Sequence, residues 1–233
     1  MSRLDISEEL VRESAAQVAP VVEQVTGWEL RLDSLNYRVL PKEQGYEAAV
    51  LGRLRGAGIP VDDDRPRGLV ERLMEYVVEG SLLAAYMPAD EELLVVRENV
   101  DDSNLDGLRL VVGHELVHRG QHLHHGHLFE RVDSAVRSLF RQLEEGEVGI
   151  GRMLETLKPI RPVMTLLESH AQYVQNVLMR EYYPEAHVES HFDLPYLLMR
   201  VFGGAKVAQY TEGLDEVTEA AASGNVEELY RQV

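Results

Sequence analysis

The 233-residue chain contains no cysteine. Disulfides, thiolate metal sites and cysteine nucleophiles are therefore excluded, and any bound metal must be held by histidine and carboxylate groups. Cations are scarce as well: 23 Lys and Arg stand against 40 Asp and Glu, a formal net charge of −17. Binding to phosphate needs clustered Lys and Arg, so nucleic acid is not an expected partner. The short run Arg65-Pro66-Arg67 follows Asp62, Asp63 and Asp64 and reads as a solvated turn. No segment approaches the ~18 consecutive apolar residues of a membrane span. The opening stretch, Met1 to Glu9, carries acids where a signal peptide has a basic start and an apolar core. A cytoplasmic protein with no membrane partner is the expectation. Internal repeats and low-complexity linkers are also lacking. With 45% apolar residues to build a core, one compact domain over 1–233 is expected, an α+β part over about 1–125 and a helical part over about 126–233.

What is present organises into alternating patterns. Leu10, Val11, Ala15, Val18 and Val22 follow Ser7 at helical spacing, and Gly27 ends the run. From Trp28 to Val39 the pattern becomes rough alternation, predicting one strand or a hairpin before Pro41. Residues 42 to 57 suit a helix, and Pro66 to about Glu79 another. Ser81 to Met87 and Glu92 to Arg97 are β-prone segments joined through Pro88-Ala89-Asp90-Glu91, which is hairpin chemistry. A helix is predicted from about Leu105 to His122, a second from Leu128 to Glu144, and a third from Pro162 to Pro184. A helix, a small mixed sheet and then mostly helices point to the α+β class.

The chemistry concentrates in His114-Glu115-Leu116-Val117-His118. Residues four apart lie one turn apart on the same helix face, so both imidazoles can address one ion, with Glu115 beside them. Zinc on neutral histidines lowers the pKa of its water to about 7, and a neighbouring carboxylate can take the proton. Leu108, Val111, Val112, Leu116 and Val117 imply a buried helix, where polar groups need partners.

A catalytic zinc usually has three protein ligands and one open position. Glu168 follows the apolar run Met164 to Leu167 and would face the core, where ligation compensates for burying a carboxylate. His124 is a rival, ten residues beyond His114, where metzincin peptidases place a third histidine; they need glycine where this chain has Gln121. His170 is a further alternative, either as third ligand or as a fourth that would close the site. The remaining histidines, His122 to His127, read as a solvated helix end or a second, weaker metal site.

The blocks Leu110 to His118 and Glu168-Ser169-His170-Ala171 resemble the gluzincin peptidases, and are similar to a bacterial zincin-like metallopeptidase family. The resemblance implies a zincin-like fold, Zn2+ held by His114, His118 and Glu168, and Glu115 as general base. It further implies a peptide or protein substrate. Gln172 stands where some gluzincins carry an acid that orients a ligand histidine. For the oxyanion of peptide hydrolysis the candidate donors are Tyr173, Tyr182, Tyr183, His187 and His191. The segment Glu92 to Arg97 is a candidate edge strand for pairing with an extended substrate. Two other functions fit the motif: a non-catalytic metal-binding scaffold or interaction protein, and a hydrolase of a non-peptide amide.

Overall fold

The computed structural model describes residues 4–60, 82–145, 150–186 and 208–233. Helix α1 spans Glu8–Thr26. It starts where the Ser7 side chain accepts the Leu10 amide and stops at Gly27, whose φ of 74° provides the left-handed turn. Val11, Ala15, Val18 and Val22 form its buried stripe.

Strand β1, Asn36–Leu40, is followed by α2, Lys42–Gly56, and by a hairpin of β2, Ala84–Met87, and β3, Glu92–Val96. β1 runs parallel to β3, with Asn36 opposite Glu92, and β2 runs antiparallel to it, with Tyr86 opposite Leu93. The order is β1-β3-β2. The small mixed sheet and the hairpin are as the sequence implies, but the edge assignment is not. Glu92 to Val96 lies in the centre, and β2 is the outer strand next to it. The reason is visible in β3 itself: Leu93, Leu94, Val95 and Val96 are all fully buried, as in a strand covered on both faces. Leu94 and Val96 face α2 with Ala85 and Met87, whereas Leu93 and Val95 join the main core with Ala84 and Tyr86.

The predicted strand from Trp28 is also shorter than its alternation suggests. Arg31 adopts φ 49° and leads into a 3-10 turn over Leu32–Ser34, so pairing begins only at Asn36. Trp28 and Leu30 are buried, not by a sheet but against the next long helix at Gly120, where an added Cβ would stand 2.8 Å from Trp28 Cε3.

That helix, α3, runs over Leu105–Glu144 and leaves helical geometry inside only at His125, with φ −132° and ψ 38°. The two helices expected over this stretch are thus the arms of one kinked element. α4 covers Ile150–Leu157 and α5 Arg161–Glu181, with Pro162 in its first turn as expected. α6, Ala208–Ala222, and α7, Val226–Gln232, complete the described chain. α3 packs against α1 on one side and α5 on the other, and α6 against α5. The helix expected over Pro66 to Glu79 lies outside the described residues. Among the described residues no helix is long and apolar enough to cross a membrane. The architecture is mixed α+β, with a three-stranded sheet followed by a helical C-terminal part.

Candidate metal centre

The first arm of α3 presents successive rows of side chains to different neighbours. His114, His118 and Gln121 face α5, while Glu115, Arg119 and His122 face the sheet. Across the α3–α5 seam, Gly113 allows close approach: a Cβ there would lie 2.5 Å from Leu178 Cδ1. α5 in turn carries Glu168, which is completely buried.

His114, His118 and Glu168 converge, with ligand atoms all within 4.8 Å of one another. The two imidazole Nε2 atoms are 3.2 Å apart; that of His114 stands 3.6 Å from Glu168 Oε2 and that of His118 3.6 Å from Oε1. Four ligands at zinc–donor distances of 2.0–2.2 Å in a tetrahedron lie about 3.3–3.6 Å from each other. The two imidazole nitrogens match that spacing, and with Glu168 they form a group that could hold a metal ion. His114, His118 and Glu168 are 1%, 5% and 0% exposed, so an ion held there would be largely shielded from bulk water by protein.

Glu115 is 3% exposed, and its Oε2 accepts the Tyr86 amide at 2.7 Å. The ladder explains why that amide is available. Val96 donates to Leu83, so the pairs exchanging bonds are Leu83/Val96 and Ala85/Leu94, and Tyr86 directs its amide away from β3. The same tyrosine meets two more residues of the row: Arg119 lies over its ring at 6.0 Å, and its hydroxyl pairs with His122 Nδ1 at 2.9 Å. Burial pushes the Tyr86 phenol up to about 12, so it is protonated, and burial holds His122 below the ordinary imidazole value.

The other candidate ligands fall elsewhere. His124 is exposed, stacked on Trp28, with Nε2 3.4 Å from the Glu29 carbonyl. His170 is buried behind the group, and its Nδ1 is 2.8 Å from the Tyr230 hydroxyl. Burial takes the His170 pKa down to about 3, which makes it a neutral imidazole. The histidine-rich stretch is not simply a solvated end. His124 and His127 are exposed, but His125 is buried, stacked on Tyr230 at 4.0 Å and 3.5 Å from Glu227. Among the described residues these histidines form no second convergent group. Gln172 donates to Gln175 and Asn176. Of the candidate oxyanion donors, Tyr182 is 45% exposed beyond the end of α5 and Tyr183 lies under Arg109. Tyr173 neighbours His170, with ring centroids 6.5 Å apart. His187 and His191 lie outside the described residues.

No family model, curated protein or solved structure matches this chain. The function of the site therefore has to be read from its residues. Four of those are not evident from the sequence: Tyr86, Arg119, Gln121 and Tyr230. Gln121 carried a usable signal, since it sits three residues after His118 on the same helix face. Arg119 carried another, as a charge inside an apolar helix. Tyr86 and Tyr230 are brought in by tertiary packing alone.

Proposed function

We propose that the protein is a zinc-dependent peptidase of gluzincin type, with His114, His118 and Glu168 as ligands and Glu115 as general base. The observation that carries the reading is the convergence of three buried donor residues, His114, His118 and Glu168, with ligand atoms within 4.8 Å of one another, beside the buried carboxylate of Glu115. Zinc held there would supply a Lewis acid and bring a water's pKa down to about 7. Glu115 is fixed by the Tyr86 amide through Oε2. Its Oε1 takes a proton from the attacking water and passes it to the departing amine nitrogen as the peptide C–N bond breaks. β2 brings the outer edge of the sheet to this carboxylate, and strand edges are where extended peptides pair. Among the described residues His170, engaged with Tyr230, is not one of the converging donors.

Burial favours a second reading. All four residues are at most 5% exposed, as suits a metal-binding scaffold that holds α3 to α5. Glu115→Gln separates the two. For a peptidase, the variant keeps stoichiometric zinc while turnover of a peptide library falls on the order of 10²–10⁴-fold. Zinc-loaded native protein that cleaves no peptide, yet loses its fold when the metal is removed, establishes the scaffold. Native protein that takes up no stoichiometric metal overturns both.

A further inference from the structure

A buried chain of hydrogen bonds runs from His118 into the C-terminal helix. Gln121 is fully buried, and its amide nitrogen lies 2.8 Å from the Leu167 carbonyl and 2.9 Å from the Tyr230 hydroxyl. A backbone carbonyl only accepts, so the NH2 end of Gln121 must face Leu167. Its oxygen is then the atom 2.7 Å from His118 Nδ1, and that nitrogen must carry the proton. Neutral His118 is thereby held in one tautomer, with the lone pair of Nε2 toward His114 and Glu168. Tyr230, 1% exposed, accepts from Gln121 and donates its own proton to His170 Nδ1. Every member of the chain is satisfied in a single polarity.

We infer that Gln121 and Tyr230 are positioning residues for the metal centre: Gln121 sets the tautomer and ring orientation of His118, and Tyr230, delivered by α7, holds Gln121 in place. Gln121 also ties the two ligand-bearing helices together, because the carbonyl it engages belongs to the residue before Glu168. The consequence for zinc rests on the metal reading above; the tautomer itself does not.

The test uses the intact chain. In metal-free protein labelled with 15N-histidine at pH 8, long-range proton–nitrogen NMR should find His118 protonated at Nδ1. Gln121→Met keeps length and volume but lacks the acceptor; it should mix in the Nε2–H form. Zinc affinity by chelator competition should then fall about 10–100-fold, the cost typical of removing a ligand histidine's partner. Gln121→Glu keeps an acceptor for His118 but places its second oxygen against the Leu167 carbonyl, so it should recover only part of that loss, an effect that filling space alone would not produce. Tyr230→Phe removes one hydroxyl and should weaken binding in the same direction; it carries the test if Gln121→Met does not fold. An Nε2–H tautomer in the native chain, or native zinc affinity in folded Gln121→Met, overturns the inference. A native chain with the Nδ1–H form that takes up no zinc overturns the metal reading while supporting the tautomer assignment.

Discussion

Arg119 shows how one side chain can organise the surroundings of a site without entering it. Its side chain has no exposed surface; Nε donates to the Leu30 carbonyl at 2.6 Å, and one terminal nitrogen donates at 2.8 Å to both the Arg31 carbonyl and Ser34 Oγ. It also lies 3.5 Å from Glu91. Among the described residues, Arg31 and Glu91 are the two non-glycine positions with positive φ, 49° and 44°, conformations that ordinarily cost about 1–2 kcal/mol each. The guanidinium thus binds the loop bearing one and the side chain of the other, and lies over Tyr86, whose amide holds Glu115. Arg119→Met should cost about 1–3 kcal/mol, because it leaves the buried Leu30 carbonyl without its donor. Urea denaturation of the metal-free protein measures this. Arg119→Lys should restore only part of the loss, since an ammonium cannot reproduce the forked pattern.

Residue chemistry was the most legible layer of this sequence. His114 and His118 announce themselves by spacing, and Glu168 by being an acid after an apolar run; the structure brings those three together. What pairwise spacing cannot show is who holds them. Tyr86 is 29 residues from Glu115 and Tyr230 is 109 from Gln121, separations that only the folded chain closes.

Among the elements, α3 and α5 set the geometry, and their approach is governed by Gly113, one residue before the first candidate ligand. Gly113→Ala would drive a methyl into Leu178 of α5, the helix that carries Glu168. Overpacking of this kind costs about 1–3 kcal/mol. The expected outcome is that loss in urea denaturation, together with weaker zinc binding as Glu168 is displaced; unchanged values for both would show that the seam adapts elsewhere. Helix periodicity was easily read in α1, α3 and α5 because their buried stripes are long. The region from Trp28 to Leu35 misleads, since alternation reports burial on one side and not its source. Here the source is the face of α3 around Gly120. The uninterrupted Leu93-Leu94-Val95-Val96 did contain the signature of a central strand, but proximity to the motif helix suggested an edge.

At the scale of the whole molecule, the main hydrophobic cluster extends from Ile6 in the first segment to Tyr230 in the last helix, with α3 through its middle. An ion at the α3–α5 seam would therefore bridge parts of one core, and its binding energy would emerge as stability. Zinc at a hundred times its Kd should add about 2.7 kcal/mol. For a chain of this size each kcal/mol moves Tm by about 2–4 °C. Scanning calorimetry with zinc and after exhaustive chelation should show a difference of about 5–11 °C, removed in His114→Ala. Equal Tm values with and without zinc would mean that the three residues do not hold an ion.

The placement of Tyr230 also has a consequence for how the molecule is assembled. The three converging donors are complete once α5 has been made, whereas the residue that fixes Gln121 arrives with α7, 62 positions after Glu168. A chain still growing on the ribosome, with α5 made and α7 not yet, holds every donor while Gln121 has the Leu167 carbonyl but lacks Tyr230. The hydroxyl that holds Gln121 thus arrives late in synthesis, and deletion of α7 should loosen His118 without touching a single donor.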